Sequence, residues 1–179
     1  EEYIQAVILI VVGFFAGVIN TLAGGGSLFT LPVLIFLGLP PNIANGTNRI
    51  AIVIQSLSGA LGYKSKGISN FPFNIYLGIS ASIGAVIGAQ IAIDLDGRLF
   101  NRILAIILIV VGGLILMNAK NLTHKLPERL TGKYLLFGII GFFFIGIYGG
   151  FINAGIGIVI MLFLNRINRL SLVKTNASK

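Results

Sequence analysis

AGVINTLAGGGS, residues 16–27, and GGFINAGIG, residues 149–157, are polar, glycine-rich interruptions inside oily sequence. A bilayer penalises unpaired backbone and polar side chains. An interruption written twice therefore predicts a place where something polar is held. Each is followed by a short apolar run and then a Thr-Asn pair, Thr47-Asn48 and Thr175-Asn176. Gly17, Asn20 and Gly24 recur as Gly150, Asn153 and Gly157 at a shift of 133, and the Thr-Asn pairs at a shift of 128, as a shorter loop in the second copy requires. The chain reads as an internal duplication.

Around these breaks the chain is 56% hydrophobic and 10% charged, with a mean hydropathy of +0.98. A soluble domain carries roughly 25% charged residues, so there is too little charge here to cover a water-facing surface. The apolar stretches are continuous rather than alternating, which excludes a membrane barrel and predicts an all-α, polytopic helical membrane protein. Seven apolar segments are expected, over residues 3–23, 28–39, 50–63, 73–93, 99–117, 134–152 and 156–164. The second, which carries Pro32, and the seventh are short, and each follows a glycine-rich break. Asn45 to Arg49 are expected at the entrance of the third segment.

The net charge of +8 comes from basic residues at segment ends, the pattern of the positive-inside rule and not of a nucleic-acid-binding patch. Loops 64–69, 118–133 and 165–174 hold most of it and fall on one side if every segment crosses. They are placed in the cytoplasm, with the N-terminus outside, in the cell (inner) membrane. Segments one and six then run in opposite directions, which makes the duplication an inverted-topology repeat of the kind found in secondary transporters. The expected organisation is a first repeat over residues 1–117, a basic cytoplasmic loop over 118–133, and the start of a second repeat over 134–179. By this logic the chain is expected to lack roughly another 70 residues, since the first copy continues past its Thr-Asn pair through further helices. The opening EEYIQAVILI has no basic n-region and no small-residue cleavage site, so it is not a signal peptide, and residues are expected to precede it.

The chemistry available is that of backbone amides and amide side chains. Gly24-Gly25-Gly26 permits a sharp turn and leaves amides uncovered. Ser27 is expected as the N-cap of the helix that follows. A helix start offers free N–H groups and the positive end of its dipole, which favours an anion. Gly155 and Gly157 in the second copy offer a weaker version, with Ala154 and Ile156 among them. Two such starts approaching from opposite faces suit a small anion at the midplane. Arg49, after Thr47-Asn48, is either an interfacial arginine reaching toward water or a cation that pairs with the anion. Ala177 holds the matching place in the second copy. Asn20, Asn45, Gln55 and Gln90 are interhelical glue or ligand contacts. The other helix glycines, Gly13, Gly17, Gly59, Gly84, Gly88, Gly112, Gly113, Gly138, Gly141 and Gly146, are expected to let helices pack closely. There is no cysteine, His124 stands alone in a charged loop, and no carboxylate pair lies within an apolar segment. Metal site, cofactor and enzyme are accordingly not expected.

Residues 13–51, GFFAGVINTLAGGGSLFTLPVLIFLGLPPNIANGTNRIA, resemble the first signature of the TauE/SafE family of membrane transporters. Gly24, Gly25, Gly26, Pro32, Ala44, Gly46 and Thr47 match that motif, and Thr175 matches the threonine of its second copy. The second glycine cluster departs, reading AGIG where a triple glycine is usual, with no proline after it. The resemblance implies a transporter of small sulfur-containing anions such as sulfite or sulfonates, usually exported from the cytoplasm. The substrate path is expected at Asn20, Gly24, Gly25, Gly26, Ser27, Thr47, Asn48, Arg49, Asn153, Gly155, Gly157, Thr175 and Asn176. Its partners are the small anion and the lipid bilayer; a coupling ion and a homodimer are compatible with it. A passive anion channel and a non-transporting membrane scaffold are the alternatives.

Overall fold

The computed structural model describes residues 2–118 and 127–179; Glu1, Lys120, His124 and Lys125 lie outside the described residues. These form α1 (Glu2–Ala23), α2 (Ser27–Phe36), α3 (Pro41–Ser65), α4 (Phe73–Ile93), α5 (Gly97–Asn118), α6 (Lys133–Phe151), α7 (Ile156–Ile167) and α8 (Leu172–Ser178), with no strand among the described residues. Four of the helices, α1, α4, α5 and α6, are long and apolar enough to cross a bilayer. The molecule is an all-α polytopic membrane protein. At about 1.5 Å per residue, α2 (10 residues) and α7 (12 residues) each cover roughly half of the ~30 Å hydrocarbon core. Both follow a glycine-rich break.

Helix boundaries follow local chemistry. Glycines at positive φ stop or separate elements at Gly24 (φ 77°), Gly38 (97°), Gly67 (70°) and Gly155 (71°). Asp96 accepts from the N–H groups of Arg98 (3.0 Å) and Leu99 (3.4 Å) and so starts α5. One expected boundary is wrong. α3 begins at Pro41, not near Ile50, so Asn45, Thr47, Asn48 and Arg49 lie in its first turns instead of in an entrance loop. Proline at the first helical position is pre-set for a start there. Asn45 and Asn48 are buried and Arg49 is half-buried, Asn45 and Arg49 against another helix end described below, while Thr47 is exposed.

The closest packing is between α4 and α6, which run parallel. Ser80 Oγ donates to the Ile139 carbonyl at 2.6 Å, Gly84 lies against the Phe143 carbonyl and Gly88 against that of Ile147. The matching face of α6 sets Gly146 and Gly150 on the backbone of Ala81 and Ala85. Large residues point the other way: Ile79, Ile83, Val86 and Ile91 of α4 are exposed. This inside-out arrangement is that of a membrane, where small residues let backbones approach and apolar bulk faces lipid. Parallel α4 and α6 with α5 between them are alternate crossings of one chain. The glycine expectation holds at Gly17, Gly84, Gly88, Gly138, Gly141 and Gly146, but an added Cβ at Gly13, Gly59, Gly112 or Gly113 would meet nothing within 4 Å.

Two cores flank the breaks. One joins Leu31 and Leu34 of α2, Ala44 of α3 and Phe100 and Leu104 of α5 to Ile152 and Ala154 of the second break. The other joins α4, α6 and α7 through Phe73, Leu77, Phe142, Ile145, Ile160 and Leu164. Sequence from the first half thus packs directly on the second.

Candidate functional site at the crossed helix breaks

The two breaks meet. Gly24 lies backbone to backbone on Gly157, so that a Cβ on Gly24 would stand 2.5 Å from the Gly157 carbonyl carbon. Gly24 and Gly157, equivalent by sequence shift, are therefore contact partners. Each break contains one left-handed glycine, Gly24 in the first and Gly155 in the second. After each, the next helix closes its first turn alike: Leu28 N–H donates to the Gly25 carbonyl and Ile158 N–H to that of Gly155, both at 3.0 Å.

Each glycine of the triplet answers a different demand. Gly24 supplies positive φ and the contact with Gly157. Gly25 leaves room for Ile158, whose Cδ1 would be 2.9 Å from an added Cβ. Gly26 is pressed onto the Ala16 carbonyl and the Asn20 Cβ of its own preceding helix. All three are buried, so their amides are covered by protein, contrary to the expectation of an open glycine cradle. The first N–H groups of α2 and α7 have no partner inside their own helices, and the positive ends of both dipoles converge on this contact.

Ser27 is not the N-cap of α2. Gly26 holds that position, and no side chain caps the helix. Ser27 is the first helical residue, 3% exposed, and its Oγ accepts the N–H of Gly155 at 3.0 Å. It serves the start of α7, in the other half of the chain, because the crossing puts that start nearer than its own second turn.

On either side of the crossing, a short polar cluster from one half holds the carboxyl end of a long helix from the other. From α3, Asn45 Nδ2 donates to the Phe151 carbonyl at 3.0 Å, and Arg49 Nη2 donates to the Gly150 carbonyl, both at the end of α6. From α8, Asn176 Nδ2 donates to the Leu22 carbonyl at 2.9 Å, at the end of α1. Lys179 Nζ donates to the Asn20 carbonyl and, at 2.8 Å, to Asn176 Oδ1. Terminal carbonyls left without intrahelical partners take charge-assisted donors favourably. Arg49 is half-buried, and one of its five N–H donors caps the end of α6.

The remaining expected residues divide. Thr30 Oγ1 donates to Asn48 Oδ1 at 2.6 Å, which leaves Asn48 Nδ2 a buried donor with no partner; Asn45 Oδ1 is likewise buried and unpartnered. Asn20 Nδ2 donates to Gln55 Oε1 at 2.9 Å, joining α1 to α3. Asn153 is buried in the second break, next to Ile152 and Ala154 of the core. Thr175 is fully buried, its hydroxyl directed at the Leu170 carbonyl. Thr47 is exposed and is not brought to the crossing. Sequence reasoning missed Thr30, Lys179 and Tyr148, whose hydroxyl donates to the Ala154 carbonyl. Each was one polar group in oily or terminal sequence, a signal that only the partner across the fold makes specific. Among the described residues no group of three or more His, Asp or Glu is placed to hold a metal.

A family model described as "Sulfite exporter TauE/SafE" matches residues 9–179. The chain is similar to a "Probable membrane transporter protein" of Haemophilus influenzae, 33% identical over 155 residues, covering 87% of this chain and 60% of that protein. A "Probable membrane transporter protein ORF9" of Sinorhizobium sp is 29% identical, over 86% of this chain and 58% of its own length. "Probable membrane transporter protein YfcA" of Escherichia coli K12 is 29% identical, over 84% and 55%. The chain thus spans a little over half the length of these curated relatives. No solved structure matches it.

Proposed function

The chain belongs to the sulfite exporter TauE/SafE family, and on that premise we propose that it forms the substrate-handling part of a secondary transporter for a small sulfur-containing oxyanion, sulfite or a sulfonate. Transport is by alternating access between two inverted repeats, with export from the cytoplasm across the inner membrane and the N-terminus outside. The observation that carries the reading is the crossing itself. Gly24 rests on Gly157 and Ser27 on Gly155, so two half-length helices from the two copies present their N-termini to one point. That is the arrangement by which broken helices hold an anion within a membrane. Two buried groups without partners, Asn48 Nδ2 and Asn45 Oδ1, lie in α3 beside the Arg49 cap. A buried donor without an acceptor costs about 1–3 kcal/mol, and an oxyanion oxygen would satisfy it.

The cross-caps support alternation. Arg49 and Asn45 tie α3 to the end of α6, and Asn176 and Lys179 tie α8 to the end of α1. Releasing one pair while keeping the other would open the crossing to one side at a time. The test is flux into proteoliposomes containing the full-length protein, with sulfite, sulfoacetate, sulfate and chloride. Saturable flux of the sulfur oxyanions over chloride is expected. Inertness toward all four, or non-saturating flux of any small anion, would overturn the reading, the latter in favour of a channel.

A further inference from the structure

We propose that the apolar groove between α1 and α2 is the seat of a further transmembrane helix, the second-copy counterpart of α5, supplied by the part of the full-length protein that lies outside this chain. The groove measures about 510 Å³ and is lined only by α1 and α2, through Val11, Val12, Phe15, Leu28 and Pro32 among others. It has two walls, and its aromatic Phe15 is 60% exposed.

The molecule holds a second cleft of the same kind, and there a third wall is present. That cleft, about 380 Å³, is lined by Phe144, Ile145 and Tyr148 of α6, by Val159 of α7 and by an aliphatic stripe of α5. The shift of 133 that turns Gly17 and Asn20 into Gly150 and Asn153 turns Val11, Val12 and Phe15 into Phe144, Ile145 and Tyr148. The α6 residues of one cleft are therefore repeats of α1 residues in the other. α2 and α7 likewise match, as the short helices that follow the two breaks. What distinguishes the clefts is α5. Its Val111 reaches the start of α7, where Cγ1 would lie 2.8 Å from a Cβ added at Gly155. No described helix takes that place over the groove of α1 and α2.

The repeat names the occupant. The Thr-Asn pairs match α8 to α3, so α5 has no counterpart among the described helices. Two fifths of the Haemophilus influenzae relative has no match in this chain, ample for a spanning helix of about 20 residues. The seat asks for aliphatic side chains at helical spacing, as Ile106, Val110 and Leu114 provide on α5. Pro32 speaks against acyl chains as the occupant. Proline offers no N–H to the carbonyl four residues earlier, here that of Leu28, and both residues line the groove. Within a bilayer such a proline is accommodated by neighbouring helices.

The experiment uses the full-length protein, with any cysteine or tryptophan outside this chain replaced; the chain itself has neither. A cysteine at Phe15 is combined with single cysteines walked along each apolar segment outside the chain, and disulfide formation is read by gel mobility. Cross-links to one segment, recurring every third or fourth position, are expected. Ile107→Cys with Tyr148→Cys, across the three-walled cleft, is the positive control. A second readout needs no pair. Brominated acyl chains are expected to quench Phe15→Trp several-fold less than Ile83→Trp, on the exposed face of α4. If the paired variants fail to assemble, this quenching decides. Equal quenching of the two tryptophans assigns the groove to lipid, and Phe15→Cys cross-linked between two copies assigns it to a dimer; either overturns the proposal. The seat rests on the duplication and not on the substrate, so failure of anion flux overturns the transporter reading and leaves these cross-links to be judged alone.

Discussion

The first and second breaks both use a left-handed glycine but place it differently: Gly24 lies two residues before the N-cap Gly26 of α2, whereas Gly155 is itself the N-cap of α7. Both turn through a left-handed glycine, Gly24 and Gly155, and both close the next helix on a glycine carbonyl. The first spends three consecutive glycines, two of them against backbone atoms. The second manages with Ala154 and Ile156 in place, the former fully buried in a core shared with α2 and α5. The difference lies in what each break touches. Gly24 and Gly26 face main chain, which cannot yield, whereas Gly155 faces the side chains of Val111 and Leu28. The second break thus keeps glycine at the backbone contact, Gly157 on Gly24, and at the left-handed turn, Gly155, whose neighbours are side chains.

The largest effect expected from this contrast is at Gly24. Gly24→Ala meets both a left-handed backbone, about 1–3 kcal/mol, and overpacking against Gly157, about 1–3 kcal/mol more. Gly155→Ala carries the first cost but less of the second, because Val111 and Leu28 can rotate. Thermal unfolding in detergent should rank Gly24→Ala as the more damaging, with Gly46→Ala, whose added Cβ meets nothing within 4 Å, close to wild type. The reverse order at 24 and 155 would break the comparison.

Next is Ser27, the link between the breaks. Ser27→Ala leaves the Gly155 N–H buried without its acceptor, at a cost of about 1–3 kcal/mol. A cap of its own helix would lose stability too, so stability alone does not discriminate. Amide hydrogen exchange does: the Gly155 amide should exchange faster in the variant while Leu28 and Phe29, bonded to glycine carbonyls, are unchanged. Faster exchange confined to the start of α2 would restore Ser27 as the cap of α2.

These two positions show what a sequence discloses and what it withholds. The breaks, the long helices and the small-residue face of α4 were legible, because each is written locally: consecutive glycines, about 20 apolar residues, Ser80, Gly84 and Gly88 four apart. The role of Ser27 was not, since its partner is 128 residues away and local chemistry favoured an N-cap. The start of α3 was misplaced for a related reason. Asn42 to Arg49 look like a water-facing loop until the end of α6 is placed against them. Lys179 carried no signal at all without Asn20 and Asn176 beside it.

The paired cross-caps give a third, smaller contrast. Arg49→Gln removes the charged donor from the end of α6, and Asn176→Ala removes a neutral one from the end of α1. A cation at a helix carboxyl end contributes about 0.3–1 kcal/mol when exposed and up to ~2 when partly buried, against about 0.5–1.5 for an ordinary hydrogen bond. Unfolding should show Arg49→Gln as equal or worse. The flux assay should separate them further, with each variant biased toward opening on the side whose cap it has lost. Accessibility labelling of single cysteines placed at Thr47 and Ser56 would read that bias. Identical labelling of both variants from the same face would show that the caps hold helices together without gating them.

The smallest effect is on α1, at two glycines a turn apart. An added Cβ at Gly17 would lie 2.7 Å from Gln55 Nε2, while one at Gly13 would meet nothing. Gln55 is the end of a flexible side chain, so it moves rather than clashes, but moving it strains its bond from Asn20. The loss is part of one hydrogen bond, under about 1 kcal/mol, offset by alanine's better helix propensity of about 0.8–1.0 kcal/mol. Stability should therefore change little in either variant. If the first break handles the anion as proposed, affinity should not: Asn20 packs against Gly26 and bonds Gln55, so Gly17→Ala is expected to weaken binding several-fold, as an ordinary hydrogen bond is worth about 0.5–1.5 kcal/mol, while Gly13→Ala leaves it unchanged. Equal affinities would detach the Asn20–Gln55 pair from the substrate path and reduce it to interhelical glue. A weaker Gly17→Ala with an unaltered melting temperature would tie the Asn20–Gln55 pair to anion handling at the first break, against which Asn20 packs.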